Sequence, residues 1–454
     1  MTSGAQDRPA DVRVASSRSA TPPGLLLVGA GEVVTMAGGL RRGSAQGDAA
    51  ALTGTPALAA WAGRILSVGR LDEVMRRLEA DGLDASDPGS FVHLDAQGGT
   101  VTPGLVDPHT HLVFAGSRED EVALRQRGAG YLEILAAGGG ILSTVARTRA
   151  ASTEELLASG RRWLREMLRH GATTVEVKSG YGLERETELR QLEVAALLAA
   201  EGPIELAPTF LGAHAVGPEF RGRADATEAY LRDVIQVQLP AVAGQGIARF
   251  CDVFCEEGVF TPEQSRRVLV EGVRHGLLPR LHADELRPSG GAELAAELGA
   301  ASADHLGAPS QAGIEALARA NDAGVPVVAT LLPATSLFLK GDDYGPAREL
   351  VDRGIPLALG TDFNPGTSPA PNLELVLSLG VLRLGLSAAE ALAAVTINAA
   401  HALRLGDSHG SLEPGKAADL VVWDVPTSAQ IPYWLGADLV RTVVKGGRIV
   451  YGAT

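Results

Sequence analysis

From about residue 102 onwards, one pattern of apolar and polar positions recurs along the chain. A helical stretch ends at a glycine, and a short run of mostly apolar residues follows at once. Seven of these runs occupy residues 171–177, 202–212, 246–258, 276–285, 299–307, 324–333 and 354–365. Continuous apolar runs are typical of buried parallel strands, and glycine is favoured at a helix end because it accepts the left-handed conformation. Together with a run that ends just before His109, the pattern predicts eight strand–helix units.

The helices between the runs carry their own start signals. Ser152-Thr-Glu-Glu155 and Thr261-Pro-Glu-Gln264 both have the capping-box sequence. After Ser152, apolar side chains recur close to the 3.6-residue helical period. No G-x-G-x-x-G motif follows the first strand, so an open dinucleotide-binding sheet is disfavoured. The fold class is therefore expected to be α/β, with a closed (β/α)8 TIM barrel over residues 103–405.

The two ends of the chain follow a different pattern. Residues 24–102 and 406–454 contain short, strand-like pieces between glycine-rich turns, and neither segment is large enough to close a core alone. We expect them to combine into one small composite β-sandwich, with helical residues 372–405 leading back to it. Residues 1–23 are rich in Ala, Ser, Thr, Arg and Pro, and are expected to form a disordered tail.

Composition narrows the range of partners and locations. Lys and Arg number 40 against 54 Asp and Glu, and the net charge of −14 argues against nucleic acid or an anionic membrane as the main partner. The two cysteines, Cys251 and Cys255, make no disulfide framework and are interpreted as core residues of a cytoplasmic protein. The sequence shows neither a secretory signal nor an apolar stretch of membrane-spanning length. These features favour a small-molecule partner.

Ligand-type residues cluster at the predicted strand ends, which is where barrels of this type place their chemistry. His109 and His111 are two residues apart, so in an extended segment their side chains point to the same face. Five of the ten histidines fall at strand ends, and the other five are interpreted as structural or surface residues. The candidates at or just beyond the strand ends are His109, His111, Lys178, Tyr181, His214, His282, Asp284, Glu285, Asp304, His305, Asp362 and Asn364.

Three imidazole nitrogens with one carboxylate are a donor set that suits zinc, or iron as the common substitute. We assign His109, His111, His282 and Asp362 as the ligands of one Zn²⁺ or Fe²⁺/Fe³⁺ ion per subunit. Such a metal lowers the pKa of its bound water, so that hydroxide is present near neutral pH. Glu285, three residues past His282, is expected to move protons without binding the metal.

The same residues stand in strings that resemble known proteins. Pro103-Gly-Leu-Val-Asp-Pro-His-Thr-His111, together with His282, His305 and Asp362, resembles the amidohydrolase superfamily of metal-dependent hydrolases. Longer strings, from about residue 24 to the end, are similar to the imidazolonepropionase family within it. They read DPHTHLVFAGSRE (107–119), EVKSGYGL (176–183), TFLGAHA (209–215), DVFCEEGVF (252–260), HADEL (282–286), ADHL (303–306) and GTDFNPGTSP (360–369).

The resemblance implies a role for each matching residue. It assigns substrate binding to Arg118, Tyr181, His214, Glu285, Asn364, Gly366 and Thr367, and catalysis to Glu285, His305 and Asp362. Some relatives bridge two metals with a carbamylated lysine on strand four. This chain has no lysine there, so a mononuclear site is expected and Lys178, on strand two, is interpreted as structural or electrostatic. The resemblance also implies a homodimer.

The reaction implied is hydrolysis of the ring amide of 4-imidazolone-5-propanoate to N-formimidoyl-L-glutamate, a step of histidine degradation. A metal-bound hydroxide would attack the ring carbonyl, and Glu285, His305 and Asp362 all remain candidates for the first base. The alternative function is a mononuclear aminohydrolase that deaminates a nucleobase or related heterocycle. A non-catalytic scaffold is disfavoured because all four ligand positions are kept.

Overall fold

The computed structural model describes residues 23–128, 139–339, 341 and 344–452. Seven short strands and one helix precede the barrel. The strands are β1 (Gly24–Val28), β2 (Glu32–Val34), β3 (Ala51–Thr53), β4 (Pro56–Trp61), β5 (Arg64–Arg70), β6 (Phe91–Asp95) and β7 (Thr100–Pro103), and the helix is α1 (Leu71–Ala80). Four of them form a sheet in the order β5-β4-β1-β6. The disordered tail predicted for residues 1–23 lies outside the described residues, except for Pro23.

Eight parallel strands follow, each hydrogen-bonded to the next in chain order. They are β8 (Leu105–Asp107), β9 (Ala172–Lys178), β10 (Glu205–Ala213), β11 (Phe250–Cys255), β12 (Leu278–Ala283), β13 (Ser302–His305), β14 (Val328–Leu331) and β15 (Leu357–Leu359). Each of the seven apolar runs contains one of these strands. Only the last residues of β9 and β10 extend beyond their runs, by one position each. The predicted strand count and parallel order are confirmed.

The sheet closes on itself just beyond the ends of its first and last strands. The His111 backbone N–H donates a hydrogen bond of 2.9 Å to the Phe363 carbonyl, and the Asp362 N–H donates one of 3.0 Å to the His109 carbonyl. We call these two hydrogen bonds the seam. The seam completes the predicted barrel, and it lies in the segments that carry three of the four predicted metal ligands.

Helices cover the outside of the barrel. They are α2 (Glu119–Gln126), α3 (Ile141–Ala150), α4 (Thr153–Arg169), α5 (Arg185–Glu201), α6 (Ala226–Asp233), α7 (Leu239–Gln245), α8 (Pro262–Arg274), α9 (Gly291–Leu298), α10 (Gln311–Asp322), α11 (Pro333–Phe338), α12 (Ala347–Asp352), α13 (Leu373–Leu382), α14 (Ala388–Ala394) and α15 (Ile397–Ala402). Short 3-10 turns lie at Gly43–Gly47, Pro218–Phe220 and Ser428–Gln430, and a π-helical turn at Val234–Gln238. Both predicted capping boxes are formed, at the start of α4 and of α8.

The end of the chain returns to its beginning. Strands β16 (Leu420–Trp423), β17 (Val440–Lys445) and β18 (Arg448–Gly452) join β7, β2 and β3 in a six-stranded sheet of order β18-β17-β16-β7-β2-β3. The Trp423 indole N–H donates a hydrogen bond of 2.8 Å to the Thr102 hydroxyl across this junction. The predicted sandwich-like domain built from both chain ends is therefore confirmed. The residue boundaries at 102/103 and 405/406 stay a prediction.

Three further expectations can be compared with the structure. The segment predicted to be helical over residues 372–405 forms three helices. A left-handed Gly385 and a new cap at Ser387 separate the first from the second, and the non-helical backbone of Val395 and Thr396 separates the second from the third. Cys251 and Cys255 are buried free thiols, as expected. Within the described ranges, no helix combines the length and the apolar character needed to cross a membrane.

Candidate active site

Three predicted ligand histidines meet at the carboxyl ends of the barrel strands. His109 and His111 follow β8, and His282 lies within β12. One ring nitrogen from each of them lies within 4.8 Å of the other two. Asp362, beyond β15, lies beside two of them, with its Oδ1 3.5 Å from Nε2 of both His109 and His111. It also forms a second group of possible ligands with His109 and His305. All four predicted ligands are therefore brought together, although they are spread over more than 250 residues of sequence.

The spacing of these donor atoms fits a small divalent cation. Ligands about 2.1 Å from a tetrahedral metal lie about 3.4 Å from one another. Nε2 of His282 is 3.4 Å from Nε2 of His111, close to that separation. Nε2 of His109 is buried and has no hydrogen-bond partner among the described residues. A buried polar atom left without a partner is expected where an ion binds.

Two buried carboxylates orient the imidazoles from behind. Asp304 Oδ2 lies 2.8 Å from Nδ1 of His109, and Asp252 Oδ2 lies 3.1 Å from Nδ1 of His282. A carboxylate at Nδ1 favours the tautomer with the proton there, which leaves Nε2 free to bind a metal. Burial is the main reason why the pKa of His109 lies well below its ordinary value. A neutral imidazole is the form that ligates.

A buried network of charged side chains lies beneath the imidazoles. Lys178 Nζ donates hydrogen bonds of 2.7 Å to both Glu176 Oε1 and Asp252 Oδ2, and Arg280 Nη2 donates one of 2.9 Å to Asp304. Burial alone would raise the pKa of Asp304, but Arg280 and Lys178 outweigh it and hold that pKa at about 2. Lys178 thus lies among acids behind the site, in agreement with the structural or electrostatic interpretation. The sequence analysis did not single out Glu176, Asp252 or Arg280.

The backbone is strained where the site residues emerge. His305 has φ of +74°, Asp362 of +51° and Asp284 of +50°, in the left-handed region that ordinary residues rarely adopt. Such conformations concentrate at functional sites because the surrounding structure holds them there. Asp362 is held further by a 2.7 Å hydrogen bond from the Thr335 hydroxyl to its Oδ2. The sequence analysis did not single out Thr335.

One candidate points away from the site. Asp284 accepts hydrogen bonds from the backbone N–H groups of Ser289, Gly291 and Ala292, at 2.7, 3.0 and 2.8 Å. The last two belong to the first turn of α9. Its carboxylate therefore accepts from the N–H groups of a helix start rather than facing the cavity. Strand alternation alone would place Asp284 on the same face as His282, two residues earlier, and the left-handed backbone at Asp284 breaks that alternation.

Glu285 and His305 form a pair beside the ligands. Oε2 of Glu285 lies 3.8 Å from Nδ1 of His305. Burial, reinforced by the charge of Asp362, raises the pKa of Glu285 to about 8. Burial also lowers the pKa of His305 to about 3. At pH 7 the site therefore offers a protonated carboxyl group next to a neutral imidazole.

A cavity of about 680 Å³ opens above this cluster. Its wall includes the predicted residues Arg118, Tyr181, His214, Asn364 and Thr367, together with metal-ligand candidates. The His214 ring stacks on His111 at 5.0 Å between centroids, and its Nδ1 lies 3.0 Å from the Gly180 carbonyl oxygen. Tyr181 is buried, with its ring 5.5 Å from that of His214.

The loop after β15 is braced by Asn364. Its Oδ1 accepts hydrogen bonds of 2.8 Å from the backbone N–H groups of Gly366 and Thr367, and its Nδ2 donates one of 2.7 Å to the Asp362 carbonyl. Asn364 therefore sets the shape of the loop that carries Gly366 and Thr367. This arrangement places the loop directly beside Asp362.

Comparison with known proteins agrees with this arrangement. Residues 280–450 match the Amidohydrolase family. An imidazolonepropionase of Geobacillus kaustophilus is 52% identical over 390 residues, which cover 86% of this chain and 88% of that protein. An imidazolonepropionase of Symbiobacterium thermophilum is 50% identical over 430 residues, or 94% and 97% of the two chains. The chain belongs to the imidazolonepropionase family. The resemblance seen in the sequence is thereby confirmed.

Solved structures of more distant proteins share the fold of this imidazolonepropionase family member. An adenosine deaminase from Xanthomonas campestris with bound zinc has a TM-score of 0.67 at 21% identity, covering 94% of this chain and 93% of that one. The guanine deaminase of E. coli has a TM-score of 0.67 at 16% identity, covering 95% and 100%. At these identities the likeness concerns the fold alone.

Proposed function

We propose that this protein hydrolyses the ring amide of 4-imidazolone-5-propanoate to N-formimidoyl-L-glutamate. Curated relatives about 50% identical over most of the chain carry the name imidazolonepropionase. One structural observation carries the proposal further. A cluster of three imidazoles and a carboxylate opens into a cavity that also holds an arginine, so one wall can activate water while another binds a carboxylate.

His109, His111, His282 and Asp362 would hold one Zn²⁺ or Fe²⁺/Fe³⁺ ion. When bound, such an ion supplies Lewis-acid activation of water and of the ring carbonyl near neutral pH. Asp304 and Asp252, at Nδ1 of His109 and His282, keep the two rings in the orientation that binding requires. This support comes from side chains of the barrel strands rather than from loops.

Glu285 would transfer a proton, and His305 would stabilise the developing negative charge. Hydrolysis adds a water oxygen to the ring carbonyl carbon, breaks the bond to the ring nitrogen and leaves that nitrogen with a proton. Glu285, protonated below about pH 8, can deliver this proton. His305, neutral because of its lowered pKa, can donate a hydrogen bond to the carbonyl oxygen as negative charge develops there. The identity of the first base stays open among Glu285, His305 and Asp362.

Substrate binding would fall to the rest of the cavity wall. Arg118 would bind the propionate carboxylate, because a guanidinium offers paired N–H donors that match a carboxylate. Tyr181 and His214 would contact the ring, and Asn364, Gly366 and Thr367 would contact the substrate from the loop after β15. We also propose that the enzyme is a cytoplasmic homodimer.

A direct assay tests the proposed function. The purified protein, with its metal content measured on the same sample, is incubated with 4-imidazolone-5-propanoate, and the loss of ultraviolet absorbance is followed. Guanine and cytosine are assayed in parallel. We expect turnover of the imidazolone alone. Turnover of a nucleobase alone would contradict the proposal and favour a deaminase.

A further inference from the structure

Arg118 does not stand free in the cavity. Its Nε and Nη2 donate hydrogen bonds of 2.8 Å to Oε1 and Oε2 of Glu121, which lies one helical turn further along. The side chains of this pair are only 10% and 5% exposed. A two-pronged, desolvated ion pair fixes the plane of a guanidinium as well as its place. Arg118 is therefore held in one orientation by its neighbour.

The pair also connects two segments of the chain. The backbone N–H of Gly140, which precedes α3, donates a hydrogen bond of 2.6 Å to Glu121 Oε1. Glu121 thus joins the start of α2 to the start of α3 and presents its carboxylate to Arg118 from that junction. Both Glu121 and Gly140 contribute to the cavity wall.

The bonds to Glu121 decide which edge of Arg118 stays available. A guanidinium has five N–H groups, and Glu121 takes one on Nε and one on Nη2. The two on Nη1 and the second on Nη2 make no hydrogen bond to another residue in the described part of the chain. These form the outer edge of the guanidinium, which can bind a second carboxylate in the same two-pronged way.

Gly366 makes room for the guanidinium of Arg118. A methyl group added at Gly366 would lie 1.9 Å from Nη1 of Arg118 and 2.4 Å from its central carbon. Such distances are far inside van der Waals contact, so any larger residue would displace the guanidinium. The φ of Gly366 is not in the left-handed region, so here glycine is required for space rather than for backbone conformation.

We propose that Glu121 is a positioning residue: it orients Arg118 so that the outer edge of the guanidinium faces the cavity and selects for a carboxylate substrate. Gly366 leaves the space that the guanidinium needs in this orientation. The inference rests on the proposed function, because it takes Arg118 as the group that binds the substrate carboxylate. It adds that the charge preference of the site depends on a residue that need not touch the substrate.

Glu121→Gln tests the inference, since glutamine keeps the size but accepts with one oxygen only. We expect KM for 4-imidazolone-5-propanoate to rise about tenfold, the equivalent of one charge-assisted hydrogen bond, with kcat little changed. For the carboxamide analogue of the substrate, KM and kcat should change little. The metal content and the unfolding temperature are measured on each variant. Asp120→Asn, an exposed neighbour in the same turn, is the matched control and should leave both substrates unaffected.

Gly366→Ala should displace the Arg118 guanidinium by steric contact instead of removing its partner. We expect the same rise in KM for the carboxylate substrate and little change for the carboxamide analogue. If either variant loses activity equally on both compounds, or on neither, the inference is wrong while the proposed function stands. If wild-type protein turns over neither compound, the proposed function fails. The inference is then decided by calorimetric binding of imidazole-4-propionate, and equal affinities of wild type and Glu121→Gln would overturn it.

Discussion

His282 and Arg118 line the same cavity but have different proposed roles, so replacing each by alanine should impair the enzyme in a different way. His282→Ala removes one of three imidazoles of the metal-site cluster, and we expect metal content and activity to fall together. Arg118→Ala removes the group proposed to bind the substrate carboxylate, and we expect a higher KM with the metal retained. Metal analysis and steady-state kinetics on both variants provide the check. Equal metal loss in the two would mean that Arg118 has a structural role.

The proposed role of Glu285 predicts a pH dependence of kcat. Burial and Asp362 raise its pKa to about 8, so the group holds its proton at pH 7 and loses it as the pH rises further. If Glu285 donates that proton, kcat should decline above about pH 8. Glu285→Gln should remove this decline and lower kcat by about 100-fold or more. Glu257→Gln, an exposed carboxylate at the cavity rim, is the control and should keep the wild-type profile.

The sequence predicted single residues well where chemistry and position coincide. A histidine at a strand end is visible without coordinates, and the four ligand positions converge as predicted. Contacts between side chains could not be predicted from the sequence in this way. Glu121 stands in a run of charges that is typical of a solvated helix start, and its contact with Arg118 appears only when the chain is folded. The buried acids around Lys178 come from three different strands, so no local pattern could link them.

At the scale of elements, local signals were reliable where they act within a few residues. In the capping box of α4, the Ser152 hydroxyl accepts a hydrogen bond of 3.2 Å from the Glu155 N–H, and Glu155 Oε2 accepts one of 2.8 Å from the Ser152 N–H. The first of the two breaks in the segment 372–405 had the same kind of signal. Ser387 and Glu390 form a capping box after Gly385, and its sequence was readable.

The capping box of α4 leads to a stability prediction. Ser152→Ala removes the side-chain acceptor at the helix start, and the free energy of unfolding should fall by about 1 kcal/mol. Ser159→Ala, in the middle of the same helix, is the control and should change it by only a few tenths, because alanine is the better helix former. Urea denaturation of both variants compares them. Equal effects would show that the cap contributes nothing beyond helix propensity.

At the scale of the whole molecule, the candidate metal site and the barrel closure share residues. The seam joins His109 and His111 to the segment of Asp362 by backbone hydrogen bonds. A cation bound by these side chains would therefore hold the first and last strands together. Sequence alone indicated eight strands, but the closing contacts depend on tertiary placement and could not be assigned to particular atoms.

Removal of the metal should therefore destabilise the entire fold. A ligand present at 100 times its Kd stabilises the native state by about 2.7 kcal/mol, so dialysis against a strong chelator should lower the unfolding temperature by several degrees. Adding Zn²⁺ back should restore it. Calorimetry with metal analysis at each stage is the measurement. An unchanged unfolding temperature in protein shown to be metal-free would contradict the coupling.

The junction of Thr102 with Trp423 has a consequence for synthesis of the chain. The two residues are 321 positions apart, and ribosomes add roughly 5–20 residues per second. Strand β7 therefore emerges well before the ribosome has made its neighbour β16, an interval of roughly 15–60 seconds at that rate. During translation the N-terminal strands must persist with an open edge, which makes nascent chains of this protein candidates for chaperone protection until release.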